Sequence, residues 1–184
     1  HRVALVPQGG NSGMVGGATP PADGGALLLS LRRMNAIRHS SAEDGVVVVE
    51  AGVVLENLHG FAAAIGLRFP LTLGARGSAT IGGLVATNAG GTQVLRWGTM
   101  RKLTLGVEAV LPDGSVWHGL DVLKKDNRGY DIGQLLVGSE GTLGIVTAAA
   151  LRLFPATADR AADAAEAMKI TANDLLGLKV IDRI

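Results

Sequence analysis

Short apolar runs alternate with glycine- and proline-rich connections along most of the chain. Runs of this length that are rich in valine, leucine and isoleucine are typical of short strands. They predict strands over residues 3–6, 27–31, 46–51, 103–111, 116–118 and 143–154. The tetrapeptide Pro112-Asp113-Gly114-Ser115 predicts a hairpin turn between the fourth and the fifth of these strands.

One segment, residues 54–65, has the periodicity of a helix. The apolar positions that share one face of this helix are Leu55, Leu58, Phe61, Ala62 and Ile65. Gly66 follows them, and a glycine just beyond the last periodic position is typical of a helix end. Short strands mixed with a helix and joined by glycine-rich connections predict an α+β domain rather than a doubly wound one.

Glycine is distributed unevenly along the chain. It makes up 27 of 184 residues, about twice its average share, yet only Gly177 lies beyond residue 157. The last residues are rich in alanine, leucine and aspartate, and they predict a helix over residues 159–168 and a second one that begins near Thr171. This shift in composition predicts a boundary at residue 157, with a helical tail of different origin over residues 158–184.

Charge and cysteine content exclude several classes of function. The 17 Lys and Arg residues nearly balance the 16 Asp and Glu residues, and no basic stripe is present, so we expect no nucleic-acid partner. The absence of cysteine excludes disulfides, thiol catalysis and thiolate metal sites, and we expect no metal site. No apolar run is long enough to cross a membrane, and no signal peptide opens the chain; we expect a cytoplasmic protein.

Two glycine-rich segments have the composition of anion-binding loops. Residues 7–17 directly follow a predicted strand and contain five glycines in eleven positions. Glycines free the backbone to turn successive N–H groups toward one ligand, which suits phosphate oxygens. Residues 73–83 add the hydroxyls of Ser78 and Thr80, and a short helix that begins near Thr80 would face an anion with its N-terminus. Turns without a ligand are the alternative for both segments.

Two further segments extend the pattern. Asn88, followed by Ala89, Gly90 and Gly91, offers a donor and an acceptor that suit the edge of a heterocycle. Residues 137–147 place small side chains before and inside a strand, where a flat ligand could lie against the backbone. Two loops suited to anions and one strand with small side chains, against which a flat ring could lie, together predict a dinucleotide ligand.

These segments, in this order and spacing, resemble the FAD-binding domain of the FAD-linked oxidases. The resemblance covers residues 1–157 and includes Arg96-Trp97-Gly98 and residues 123–131. It points to the vanillyl-alcohol oxidase type, in the group of the D-lactate dehydrogenases, the glycolate oxidase subunit and the D-2-hydroxyglutarate dehydrogenases. The resemblance implies a two-subdomain, PCMH-type fold that is incomplete at its N-terminus and lacks the substrate domain.

The same resemblance implies a set of residues that hold FAD noncovalently. The first loop would wrap the pyrophosphate, residues 73–82 would line the opposite side of the cofactor, residues 88–91 would lie near the flavin, and residues 141–145 would flank the adenine end or its ribose. The implied cofactor-binding residues are Gln8, Gly9, Gly10, Asn11, Ser12, Gly13, Leu73, Gly74, Gly77, Ser78, Thr80, Ile81, Gly82, Asn88, Ala89, Gly90, Gly91, Gly141, Gly144 and Ile145. His59 and His118 match no position that links flavin covalently, and we expect them to be structural.

The resemblance implies an FAD-dependent oxidoreductase that oxidises a D-2-hydroxy acid by hydride transfer to flavin. We identify no catalytic residue in this chain, because the family places the substrate-binding groups in a separate C-terminal domain; the chain alone is expected to be inactive. One alternative is a non-catalytic fragment that binds a nucleotide or associates through exposed apolar surface. Another is a flavoprotein similar to UDP-N-acetylenolpyruvoylglucosamine reductase. The tail weakly resembles the acetyl-CoA carboxylase carboxyltransferase alpha subunit.

Overall fold

The computed structural model describes residues 3–156 and contains one large antiparallel sheet. The strands are β1 Ala4–Gln8, β2 Ala26–Ser30, β3 Ile37–Ser41, β4 Val46–Glu50, β5 Leu67–Arg68, β6 Thr104–Val110, β7 Val116–Gly119, β8 Ile145–Arg152 and β9 Phe154–Pro155. The helices are α1 Leu55–Ala64, α2 Ile81–Ala86, α3 Val94–Trp97, α4 Met100–Leu103 and α5 Gly133–Leu136. The large sheet has the strand order β3-β4-β8-β6-β7, β1 pairs with β2 in parallel, and β5 pairs with β9.

One face of the five-stranded sheet packs against α1 and α2 and forms the core. The buried residues of the sheet in this core are Val47, Val49, Val107, Ala109, Val146, Ala149 and Leu151. Those of the two helices are Leu55, Leu58, Ala62, Ile81, Leu84 and Val85. This packing holds the start of α2 against the end of β4, where Gly82 N–H donates to the Ala51 carbonyl at 2.7 Å.

The α+β prediction is confirmed, and all six predicted strands are present with small shifts at their ends. The predicted strand 143–154 is interrupted between β8 and β9, because Leu153 N–H turns to the Gly45 carbonyl at 2.7 Å. The predicted helix is α1, and Gly66 follows it with a φ of 73°. In the predicted hairpin turn, Gly114 has a φ of 87° and Asp113 Oδ1 accepts from Ser115 N–H at 2.9 Å.

The parallel pair β1–β2 leaves large apolar side chains at the surface. Leu5 is 51% exposed and Leu27 is 59% exposed, and Val3, Leu28 and Leu29 are exposed as well. Parallel strands are usually covered on both faces, and within the described residues this pair is not. The predicted tail, its boundary at residue 157 and its carboxyltransferase resemblance lie outside the described residues. No helix within residues 3–156 combines the length and the apolar character that a membrane crossing needs.

A polar network lies on the face of the sheet opposite the core. Side chains alternate along β6, so Glu108 points away from the core between Val107 and Ala109. Arg38 Nη1 lies 3.1 Å from Glu108 Oε1, and Thr147 Oγ1 donates to Glu108 Oε1 at 2.8 Å. Burial opposes ionisation of Glu108, but the hydrogen bonds from Thr147 and Arg38 outweigh it, so the pKa of this carboxyl lies below its usual range. The network therefore stabilises the fold only while Glu108 is charged.

The first test replaces Glu108 by glutamine. We expect the free energy of unfolding at pH 7 to fall by about 1 kcal/mol, a size typical of a partly exposed charged hydrogen bond. Because the pKa is lowered by folding, this stabilisation is fully present above the pKa of the unfolded chain and is lost as the pH falls through the folded pKa. The difference in unfolding free energy between the unchanged chain and Glu108→Gln should therefore become smaller below about pH 4. Urea unfolding across this pH range measures it.

The matched control for that test is Glu43→Gln. Glu43 is exposed and takes part in no ion pair or side-chain hydrogen bond among residues 3–156. We expect it to leave the unfolding free energy unchanged at every pH. If the loss of unfolding free energy caused by Glu108→Gln stayed constant from pH 7 to pH 3, that result would contradict the role of the charged network.

Candidate functional site

A cleft of about 280 Å³ lies where the three glycine-rich segments meet. The loop after β1, the start of α2 and the start of β8 all contribute to its walls. The predicted residues that line it are Gly9, Gly10, Asn11, Ser12, Gly13, Leu73, Thr80, Gly82, Ala89, Gly141, Gly144 and Ile145. Residues that are far apart in sequence are therefore assembled into one cavity, as a dinucleotide site requires.

The first and second glycine segments touch each other at distances that only glycine permits. A Cβ on Gly10 would overlap the Ser78 carbonyl oxygen and lie 2.6 Å from its carbon. A Cβ on Gly9 would overlap Thr80 Oγ1. Neither glycine has a positive φ, so close approach rather than backbone conformation explains why glycine stands here. These two contacts fix one wall of the cleft.

The loop after β1 keeps a row of backbone donors free. The N–H groups of residues 9–13 donate to no acceptor within residues 3–156, although Gly9 to Gly13 all line the cleft. Asn11 turns the chain here with a φ of 51°. Free N–H groups in a turned segment form an anion-binding concavity without a positive side chain. These donors are therefore available for the phosphate oxygens that the sequence predicts here, and their binding of an anion stays a prediction.

The start of α2 differs from the prediction. A short helix does begin at Ile81, but its first two N–H groups are already used. Ile81 N–H donates to the Val53 carbonyl at 2.9 Å, and Gly82 N–H donates to the Ala51 carbonyl at 2.7 Å. The prediction that this helix N-terminus faces an anion is therefore wrong for these two groups. They anchor α2 to the core instead.

Thr80 provides a direct test of whether a polar ligand fits the cleft. The residue is 3% exposed and lines the cleft, and its Oγ1 has no hydrogen-bond partner within the described part of the chain. A buried hydroxyl without a partner costs free energy, so it calls for a polar atom of a ligand. The residues present therefore fit a dinucleotide with polar and flat parts.

The third segment approaches the first through Gly141. This residue has a φ of 81°, and a Cβ on it would lie 2.9 Å from Pro7 Cγ. A Cβ on Gly144 would lie 3.1 Å from the Val110 carbonyl oxygen. The small residues at the start of β8 are therefore required by packing as well as by any flat ligand.

Eight predicted residues do not line the cleft. They are Gln8, Gly74, Gly77, Ser78, Ile81, Asn88, Gly90 and Gly91. The Gln8 side-chain amide donates to the Ala18 carbonyl at 2.8 Å and closes the first loop. Asn88 Oδ1 accepts from Arg101 N–H at 2.9 Å, so its acceptor serves α4 rather than the edge of a heterocycle. Ile81 is fully buried in the core.

Sequence reasoning missed several residues of the cleft wall. They are Pro7, Val15, Gly17, Ala18, Leu31, Ala75, Ala79, Gly83, Leu84, Ala86, Thr87, Glu140 and Val146. Eight of them lie inside the three glycine-rich segments 7–17, 73–83 and 137–147 but are not among the implied cofactor-binding residues: Pro7, Val15, Gly17, Ala75, Ala79, Gly83, Glu140 and Val146. Leu84, Ala86 and Thr87 follow the second segment and could have been found by extending it, whereas Leu31 lies in no predicted glycine-rich segment.

The two histidines occupy positions away from the cleft wall. His59 Nε2 lies 2.9 Å from the Leu71 carbonyl oxygen, and His118 Nδ1 lies 3.9 Å from Glu108 Oε2. Neither is among the residues that line the cleft. Within residues 3–156, no group of three or more His, Cys, Asp or Glu side chains is arranged to hold a metal ion.

The charged loop after β7 is an exposed ion-pair cluster. Arg128 Nη2 lies 2.6 Å from Asp121 Oδ2 and 2.6 Å from Asp126 Oδ2. The side-chain hydrogen bond from Arg128 lowers the pKa of Asp126 to about 2. None of these three residues lines the cleft, and their charges pair with one another within the loop.

Comparison with known proteins agrees with this geometry. The family described as "FAD binding domain" matches residues 1–119. The chain is 52% identical over 155 residues to a mitochondrial D-2-hydroxyglutarate dehydrogenase of Bos taurus, covering 84% of this chain and 28% of that protein. It is 49% identical over 146 residues to a mitochondrial protein of Schizosaccharomyces pombe named as a provisional D-lactate dehydrogenase. This match covers 79% of this chain and 27% of that protein. The chain thus spans just over a quarter of the length of these relatives.

Solved structures support the fold. Two structures of alkyldihydroxyacetonephosphate synthase match with TM-scores of 0.72 and 0.69, at 24% and 25% sequence identity. Each match covers 83% of this chain, and 27% or 29% of the other. The cytoplasmic location expected from the sequence is wrong, because the bovine, fission-yeast and Arabidopsis thaliana relatives are mitochondrial proteins.

Proposed function

Because the chain belongs to the FAD binding domain family, we propose that it is the cofactor-holding part of an enzyme that oxidises a D-2-hydroxy acid. The relatives that bear such names are about half identical to it over most of its length. The observation that carries the proposal is the assembly of three glycine segments around one cleft with free backbone donors. The proposal is thus an oxidoreductase that depends on FAD.

The cleft residues suggest how the cofactor is held. The N–H groups of residues 9–13 would donate to the diphosphate, and Thr80 Oγ1 would pair with a polar atom of the ligand. No lysine or arginine lines the cleft in the described part of the chain, so backbone donors take the place of a positive side chain. No histidine or tyrosine lines it either, which supports noncovalent binding. Bound FAD would supply the hydride acceptor.

The substrate is proposed to be a small D-2-hydroxy acid. Relatives named for D-2-hydroxyglutarate and for D-lactate support these two acids, and glycolate is the third member of the class that the sequence resemblance implied. Removal of a hydride from such an acid needs a base near the substrate hydroxyl. Glu140 is the one titratable side chain that lines the cleft within residues 3–156, so we propose that the substrate-binding groups lie in a different part of the complete enzyme.

The test is a titration of the purified chain with FAD. Binding is monitored through flavin absorbance between about 350 and 500 nm and through flavin fluorescence. We expect weak, saturable binding at one site and no oxidation of D-lactate or D-2-hydroxyglutarate. Turnover at rates typical of enzymes, about 1 s⁻¹ or more, would overturn the assignment of the catalytic groups to another part of the enzyme. A flavin signal that never saturates would contradict the cofactor site itself.

A non-catalytic, partner-binding role is the second candidate, and the exposed apolar side chains of β1 and β2 favour it. Such a surface would drive association of the chain with itself or with further protein. Size-exclusion chromatography with and without FAD distinguishes the two roles. A monomer that carries flavin supports the oxidoreductase proposal, whereas a flavin-free oligomer supports the second candidate.

A further inference from the structure

A cluster of arginines and aromatic rings lies where β5 pairs with β9, and none of its residues lines the cleft. The rings of Trp97 and Phe154 pack with their centroids 4.5 Å apart. The guanidinium carbons of Arg68 and Arg96 each lie 4.9 Å from the centroid of the Trp97 ring. The guanidinium carbon of Arg152 lies 5.1 Å from the centroid of the Phe154 ring. We call these five residues the arginine patch.

The arginine patch carries a positive charge that residues 3–156 do not balance. None of the ion pairs within this range includes Arg68, Arg96 or Arg152. Each guanidinium is attracted to the face of its ring, and these contacts hold three like charges close together although they repel one another. An anionic group beside them would therefore lower their electrostatic energy.

The same patch contains a buried donor that lacks an acceptor. Trp97 Nε1 is buried and has no hydrogen-bond partner within the described part of the chain. A buried N–H without a partner costs free energy, so it calls for an acceptor. The neighbouring arginines favour an acceptor that is negatively charged. A carboxylate meets both requirements, because it accepts hydrogen bonds and carries the opposite charge.

The chain passes out of the described residues beside this patch. Ala156 N–H donates to the Gly66 carbonyl at 3.1 Å. This bond lies next to the pairing of Arg68 with Phe154 in β5 and β9. Asp159 follows Ala156 by three residues, so the two Cα atoms are at most about 11 Å apart. The first acidic side chain of the predicted tail is thus within reach of the arginines.

The start of the tail has the charge pattern that complements the patch. Over residues 159–168 the sequence contains three acidic residues, Asp159, Asp163 and Glu166, and one basic residue, Arg160. Spacings of four and three residues place the three acidic positions on one face of the helix that the sequence predicts here. Arg160 falls outside this face, which therefore presents carboxylates alone.

We propose that the acidic face of residues 159–166 docks on the arginine patch, where its carboxylates pair with the three guanidinium groups and accept from Trp97 Nε1. The short connection favours this occupant over a separate acidic protein, because it keeps the carboxylates beside the patch at an effective concentration on the order of millimolar. A network of several charges supports such docking better than one exposed ion pair does. The docking does not use the cleft, so it is independent of the proposed FAD site.

The experiment measures how fast elastase, which cleaves after small residues, cuts the full chain between residues 161 and 167. Each rate is divided by that of a free peptide of residues 157–184 with the same tail sequence, which removes the effect of a substitution on the protease itself. Cleavage needs local opening, so docking protects the tail. We expect Arg68→Glu/Arg152→Glu to raise the relative rate about 5-fold or more, because attraction becomes repulsion. About 1 M NaCl should raise the rate of the unchanged chain as well.

The tail variant Asp159→Arg/Asp163→Arg reverses the opposite partner and leaves residues 3–156 untouched, so it tests docking even if the patch variant fails to fold. It should raise the relative rate by a similar factor. Combining the four substitutions exchanges the two charges and should restore most of the protection. The controls Arg33→Glu, at an exposed site outside the patch, and Asp182→Arg, outside the acidic face, should leave the rate unchanged.

Recovery of protection in the fourfold variant supports the proposal, since a merely structural loss would not be repaired by a second reversal. Relative rates that match those of the controls for both double variants would overturn it and would leave the patch to a separate acidic protein. Faster cleavage in both double variants without recovery in the fourfold variant would overturn it too.

Discussion

Replacing Gly10 by alanine should weaken FAD binding by about 100-fold or more. The added Cβ would overlap the Ser78 carbonyl oxygen and would lie 3.1 Å from Ala79 Cα. Both neighbours are backbone atoms, so neither can rotate away as a side chain would. The first loop must therefore move off the second one, and the row of N–H groups over residues 9–13 loses its place in the cleft wall.

This loss should be specific to the site rather than to the fold. Gly10 lies after β1, outside the core cluster, so circular dichroism and the urea midpoint should change little. Gly60→Ala is the matched control, because a Cβ at this exposed position of α1 would meet nothing within 4 Å. Its FAD affinity should equal that of the unchanged chain. Full binding by Gly10→Ala would show that the contact between the two loops does not build the site.

The sequence predicts a strand well where it contains a continuous apolar run, whether the strand is buried, as β4 is, or largely exposed, as β2 is. All of Val46 to Val49 are buried, so the apolar run in β4 is continuous and visible in the sequence. The neighbouring strand β3 reads Ile-Arg-His-Ser-Ser and is mostly exposed. It is a strand because it pairs with β4, and no local pattern records that pairing. Edge strands of this kind are invisible to periodicity.

The site was predictable in its location and less so in the role of each glycine. From the sequence we interpret the glycines as turns around a ligand, and the free N–H groups of the first loop agree with that interpretation. Gly9 and Gly10, however, are required by the second segment, and Gly91 by the nearby Thr72 carbonyl oxygen. Contacts between segments distant in sequence have no local pattern. For the same reason Glu140, a single acidic residue in a turn, was missed.

The helix α2 depends on a glycine that serves the core. Gly82 is buried, and a Cβ on it would lie 2.5 Å from Ala51 Cβ and 3.0 Å from Ala51 Cα. Gly82→Ala should therefore push α2 away from the end of β4 and break the bond from Gly82 N–H to the Ala51 carbonyl. Overpacking and a lost hydrogen bond together outweigh the higher helix propensity of alanine. We expect the free energy of unfolding to fall by about 2 to 3 kcal/mol.

A double-mutant cycle with Ala51→Gly distinguishes this contact from a general effect of alanine in α2. Removing the Ala51 methyl relieves the 2.5 Å contact, but the Ala51 carbonyl oxygen at 3.1 Å remains. The double variant should therefore regain about 1 kcal/mol relative to the sum of the two single losses. Urea unfolding of the four proteins measures this coupling, and strictly additive losses would contradict the contact. Because α2 also carries Gly82 and Gly83 in the cleft wall, FAD affinity should recover together with stability in the double variant. Affinity that stays lost while stability returns would instead place the added methyl in the path of the cofactor.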